Sequence, residues 1–96
     1  MKCPYIGYIE ISAKMQEKLI TRRGLTCEDV RDACQAPNRY RRAAWHVHRD
    51  YGRRLIVFGH THDGKLLKVM LQPVDAREGT WRLRTALVAT RGEGAR

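Results

Sequence analysis

Residues 53–74 read RRLIVFGHTHDGKLLKVMLQPV, and their pattern decides the fold. Two apolar runs, Leu55 to Phe58 and Leu66 to Leu71, flank a short polar turn with Gly64 where a positive φ suits glycine. This pattern predicts a β-hairpin. Leu55, Ile56, Val57 and Phe58 leave neither strand face polar, and Leu66, Leu67, Val69, Met70 and Leu71 do nearly the same for the second strand. Strands apolar on both faces belong inside a sheet. The hairpin is therefore expected to be the middle of a small antiparallel sheet.

Upstream of it, residues 5–11 (YIGYIEI) predict a first strand from their aromatic and β-branched content. Ser12 is a suitable helix N-cap. Met15, Leu19 and Ile20 then recur at helical spacing, Arg22 and Arg23 fall in the last turn, and Gly24 suits the position just past the helix end. Thr26, with Asp29 three residues on, opens a second helix whose apolar side is Val30, Ala33 and Cys34 and whose stop is Pro37. Together these form a predicted helical hairpin.

Residues 38–42 are basic and expected to be an irregular loop. In residues 44–49, Trp45 and Val47 point one way and His46 and His48 the other. Asp50, Tyr51 and Gly52 mark a turn. Downstream of the hairpin, residues 75–79 form a polar connection. In residues 80–87, Trp81 and Leu83 lie on one face and Arg82 and Arg84 on the other. Residues 90–96 carry no core residue and are expected to fray. The predicted architecture is a single α+β domain over residues 1–96, with a two-helix hairpin packed on one face of a small twisted antiparallel β-sheet.

Charge narrows the function. Nineteen Lys and Arg oppose ten Asp and Glu, a formal net charge of +9. A basic, arginine-dominated chain suits phosphate and hence nucleic acid, or an acidic protein partner. The three cysteines fit no zinc spacing and read as thiols of a reducing, cytoplasmic setting. No apolar run is long enough for a membrane helix, and no signal-peptide core is present. No cofactor is expected.

If the helices cover Trp45, Val47, Trp81 and Leu83, the opposite sheet face carries His46, His48, Arg82 and Arg84. Lys68 joins them, and Arg54 and His60 share the parity of Ile56 and Phe58. Such a face suits RNA backbone chemistry. Cations hold the phosphate and stabilise transition-state charge, and histidine moves protons near neutral pH. Metal binding by the histidines is the competing chemistry, but carboxylates at ligand spacing are sparse. A plain solvated basic surface would also place Arg and Lys there.

The order of motifs resembles the BrnT toxins of type II toxin–antitoxin systems, which share the RelE-like ribonuclease fold. The segment from Arg23 to Val30 (RGLTCEDV) is similar to the family's helical junction. Residues 53–59 (RRLIVFG) and 63–69 (DGKLLKV) resemble its central hairpin, and residues 81–90 (WRLRTALVAT) its last strand. The resemblance implies a metal-independent endoribonuclease silenced by a cognate antitoxin, alone or at the ribosome, with Arg54, Arg82 and Thr85 at functional positions. Lys65 stands where the family has the arginine of the hairpin turn, Arg23 replaces the junction histidine, and Leu87 replaces an arginine. The candidate set is thus His46, His48, Arg54, Arg82 and Arg84 for catalysis, and His60, Lys65, Lys68 and Thr85 for substrate binding. The alternatives are a non-catalytic nucleic-acid- or protein-binding module of the same fold, such as a ParE-like toxin acting on another target, and a structural adaptor for an acidic protein. Edge strands at residues 5–11 or 44–49 would allow a homodimer or a toxin–antitoxin heterotetramer.

Overall fold

A computed structural model describes residues 4–35 and 41–89. The frayed tail expected at 90–96, and most of the expected loop at 38–42, lie outside the described residues. The elements run β1 (Tyr8–Glu10), α1 (Ala13–Lys18), a π-helical turn (Leu19–Arg23), α2 (Cys27–Gln35), β2 (Arg41–His48), β3 (Gly52–His60), β4 (Leu66–Asp75) and β5 (Thr80–Val88). The five strands form one sheet in the order β1-β5-β4-β3-β2. The hairpin of β3 and β4 is internal, as its two-sided apolar pattern predicts.

Two expectations need correction. The sheet is mixed, because β1 runs parallel to β5, with Tyr8 opposite Thr80 and Glu10 opposite Arg82. Arg41 and Arg42 are not in a loop but open β2, opposite Gly59 and Phe58. The alternation of Arg42, Ala44, His46 and His48 carries the strand three residues further back than its apolar content suggests.

Local chemistry sets the helix ends. The Ser12 hydroxyl accepts from the Met15 amide at 3.1 Å. Gly24 takes φ 65, and the Leu25 amide reaches back to the Leu19 carbonyl at 3.0 Å. Thr26 and Asp29 cap each other: the Asp29 amide donates to the Thr26 hydroxyl at 3.1 Å, and the Thr26 amide to the Asp29 carboxylate at 3.0 Å. No helix is long and apolar enough to cross a membrane among the described residues.

One sheet face meets the helices. Val30, Ala33, Cys34, Leu19 and Leu25 pack with Ile9, Leu55, Val57, Leu67, Val69, Leu71, Trp81, Leu83 and Ala86. The Trp81 ring lies 5.7 Å from Trp45, and its indole N–H donates to the Tyr5 carbonyl at 3.0 Å. Val47 was expected beside Trp45 under the helices, yet it is 72% exposed. Its parity is right, but the helices pack on β3, β4 and β5 and do not reach that end of the edge strand β2. Instead the Arg53 guanidinium lies 4.0 Å over the Trp45 ring and closes that end of the core.

The β3–β4 turn is built on Thr61, which is buried. Its hydroxyl donates to the Asp63 carboxylate and accepts from the Lys65 amide at 3.0 Å, and Gly64 supplies φ 91. That donated hydrogen bond holds the Asp63 carboxyl below its ordinary value. A carboxyl with a depressed folded pKa contributes stability above its unfolded pKa, about 3.9, and loses it as pH falls through the folded value. Thermal melts of wild type and Asp63→Asn should therefore converge as pH drops below about 4. Parallel curves down to strongly acidic pH would refute this role.

Candidate functional site

The second face of the sheet has no element on it among the described residues. Register alone assembles it. From β2 come Arg42, Ala44, His46 and His48; opposite them on β3 lie Phe58, Ile56, Arg54 and Gly52. β4 adds Lys68 opposite Phe58 and Met70 opposite Ile56. β5 adds Leu87 opposite Lys68, Thr85 opposite Met70 and Arg82 opposite Gln72. His60 belongs to the same face, opposite Leu66. The face is thus a strip of half-buried Ile56, Phe58, Met70 and Leu87 with cations and imidazoles set into it.

Its sharpest feature is Arg54. This side chain is only 7% exposed. Its guanidinium donates to the neighbouring Arg53 carbonyl at 3.0 Å and lies 5.8 Å from the Tyr51 ring centroid. No carboxylate pairs with it among the described residues. A buried guanidinium with no counter-charge is costly, and an anion arriving from outside would offset that cost. His46 stands directly opposite Arg54 across the β2–β3 pair and is exposed, so an anion held at Arg54 would also be within its reach.

His48 is placed differently. Its Nδ1 accepts the Asp50 amide at 3.0 Å and the Tyr51 amide at 3.3 Å, and its ring stacks on Tyr51 at 4.4 Å. An Nδ1 that accepts must keep its lone pair, so the ring proton resides on Nε2. The His46 ring lies 6.3 Å away, edge-on. His46, His48, Tyr51 and Arg54 therefore make one group at the β2–β3 turn. Further along the strands, the Arg42 guanidinium lies 5.7 Å and the Lys68 ammonium 6.0 Å from the Phe58 ring centroid. The Arg42 Nε is buried and has no hydrogen-bond acceptor.

No protein-family model, curated protein or solved structure matches this chain. The site therefore has to be read from its own geometry.

That geometry brings together His46, His48, Arg54, His60, Lys68, Arg82 and Thr85 on one face; parity predicts this for His46, His48, Lys68 and Arg82, whereas Thr85 reaches the face only through a register slip in β5. It separates Lys65, which lies in the β3–β4 turn with its ammonium 3.9 Å from Asp63. It also moves Arg84. The register slips between Met70 and Leu71, so that Thr85 faces Met70 while Leu83 faces Leu71. Arg84 is the additional residue at this bulge and has no partner in β4. It lines a hollow with Met15, Leu19, Arg22 and Arg23, beside α1. Arg42 and Phe58 were missed as site residues: Phe58 reads as core in a strand apolar on both faces, and Arg42 was assigned to a loop. No group of three or more His, Cys, Asp and Glu is arranged to hold a metal ion among the described residues.

Arg82 is less free than its position suggests. Its Nη2 and Nε donate to Glu10 at 3.1 and 3.2 Å, and both side chains are half-exposed. Glu10→Gln should release that guanidinium and raise affinity for a polyanion about two- to five-fold, the scale of an exposed ion pair. Fluorescence-anisotropy titration with single-stranded RNA would measure it, and an unchanged affinity would exclude Arg82 from the contact.

Proposed function

We propose that this protein is a metal-independent endoribonuclease of the BrnT-like toxin type, with a RelE-like arrangement of its strands and helices, acting on RNA in the cytoplasm and neutralised by a cognate antitoxin. The observation that carries the reading is Arg54, buried on an open face without a carboxylate partner among the described residues and directly opposite the exposed His46. The order of elements, one strand and two helices followed by a four-strand meander, supports the toxin resemblance.

The chemistry follows from these positions. Arg54 holds the scissile phosphodiester and stabilises the charge that grows on its oxygens, while Lys68, further along the strands beside Phe58, holds a neighbouring phosphate. His46 takes the proton of the 2′-hydroxyl, whose oxygen then forms a bond to phosphorus. The bond from phosphorus to the 5′-oxygen breaks, and that leaving oxygen takes a proton from water, whose hydroxide the protonated His46 then neutralises. The products are a 2′,3′-cyclic phosphate and a free 5′-hydroxyl. Phe58, flanked by Arg42 and Lys68, offers a stacking surface for a neighbouring base. An antitoxin that covers this face would need acidic segments, and the edge strands β1 and β2 provide backbone for pairing.

The test is incubation of the purified chain with RNA in EDTA, reading product ends by mass. Cyclic-phosphate ends, lost about 100-fold or more in His46→Ala, support the reading. Intact RNA would overturn it. A binding module without cleavage is the second reading, favoured by the two backbone amides that occupy His48 and by the Glu10 carboxylate on Arg82. Binding without cleavage would establish that one.

A further inference from the structure

A second group of cations lies away from His46 and Arg54. Lys18, Arg22 and Arg23 on α1 and its π-helical turn, with Arg84 on β5, line a hollow of about 160 Å³ floored by Met15, Leu19, Thr85 and Ala86. No acidic side chain lines it among the described residues. No hydrogen bond or ion pair engages these four cations among the described residues, whereas Arg82 close by is paired with Glu10. Four like charges drawn toward one concavity repel one another, and a polyanion would relieve that repulsion.

Two backbone features place the hollow. β1 stops at Glu10, so beyond Arg82 the β1 side of β5 has no partner strand. Unpaired edge amides are donors that a phosphate oxygen can accept from. The bulge at Arg84 brings that guanidinium to the helix side of the strand, where it meets the arginines of the π-helical turn. π-helical turns often mark functional positions, and this one carries Arg22 and Arg23. A neighbouring cleft shares Met15 and Arg84 with the hollow and is lined also by Arg82, whose register places it on the open face.

We infer that this hollow is a second phosphate subsite for single-stranded RNA, where the strand leaving the open face wraps around the β5 edge and lays one or two phosphodiesters among Lys18, Arg22, Arg23 and Arg84. The inference rests on RNA being the ligand of the open face. Its function is to hold a longer strand in register, with no part in bond breaking.

The test uses a 2′-O-methyl single-stranded RNA of about 12 nucleotides, which cannot be cut by 2′-hydroxyl attack. Affinity is measured across a salt series for wild type, for Lys18→Gln/Arg22→Gln/Arg23→Gln and for Arg22→Lys/Arg23→Lys. Losing the charges that neutralise one or two phosphates should reduce the slope of log affinity against log salt by about 1 and weaken binding at least about ten-fold. The lysine variant should keep the wild-type slope, which separates loss of charge from loss of fold. An unchanged slope in the glutamine variant overturns the subsite. So does a wild type that binds no RNA, which also removes the reading of the open face. Wild-type binding with the expected slope change but no cleavage of unmodified RNA leaves the subsite standing and overturns the ribonuclease alone. If the glutamine variant binds RNA normally and instead loses an acidic peptide, the hollow belongs to a protein partner and the inference fails.

Discussion

Arg54→Met is expected to abolish RNA cleavage without lowering the melting temperature. The two effects have one cause. Arg54 is buried with no carboxylate beside it among the described residues, so the folded chain carries the desolvation cost of a guanidinium and recovers little of it from the Arg53 carbonyl. Methionine fills most of the same volume without charge, and replacing buried ionic groups with apolar side chains of similar size is often neutral or stabilising. The melting temperature should hold or rise by up to about 5 °C, roughly 1 kcal/mol for a domain of this length. Activity should fall by about 100- to 1000-fold, the usual cost of removing a donor aimed at developing charge. Differential scanning fluorimetry and the RNA assay on the same preparation decide the matter. A drop of more than about 5 °C would mean that Arg54 holds the β2–β3 turn together and that its burial says nothing of a substrate.

Gly59→Ala should be the most destabilising single-methyl addition in the sheet. A Cβ placed at Gly59 would lie 2.0 Å from the Ala33 carbonyl oxygen and 2.9 Å from its carbon. Both atoms are α2 backbone, so no side chain can swing aside. The helix would have to lift off β3 and pull Val30, Ala33 and Cys34 away from the core they share with Val57 and Leu67. We expect a loss of about 3 kcal/mol or more, and a melting temperature lower by at least about 10 °C. Gly64→Ala is the control. That glycine sits in open space at φ 91 and should cost only about 1 kcal/mol from backbone strain. Equal effects at the two positions would show that helix and strand are not in such close contact.

The sequence made some of this visible because the relevant physics is local. Ser12, Thr26 with Asp29, Gly24 and Gly64 each act within three or four residues, and each does what its identity suggests. Strand parity is local too, so His46, His48, Lys68 and Arg82 could be assigned to one face before any coordinates, whereas Arg54 and His60 sit on a strand apolar on both sides whose phase parity leaves open. What escaped depends on distance. Nothing within residues 8–10 says that they pair in parallel with residues 80–82. Alternation gave Val47 its side but not the reach of the helices above it. Arg84 was misplaced because a bulge moves every parity beyond it by one, and no residue type near Arg84 announces a bulge. Phe58 read as core because an apolar strand face looks the same whether a helix or a ligand is meant to cover it.

The parallel pairing of β1 with β5 also orders events at the ribosome. Ile9 meets Trp81 and Glu10 meets Arg82, so the earliest strand to emerge waits for roughly 70 more residues, several seconds of synthesis, before its partner exists. Until then the sheet is open along β4, the Trp81 indole is missing from the core, and neither Arg82 nor Arg84 has been made. Pairings this distant also fold slowly even when the whole chain is present. If the chain cuts RNA, this delay protects the message that encodes it. The chain acquires Arg82 and Arg84 only once β5 has been made, and a product terminated before β5 lacks the strand that would complete the sheet.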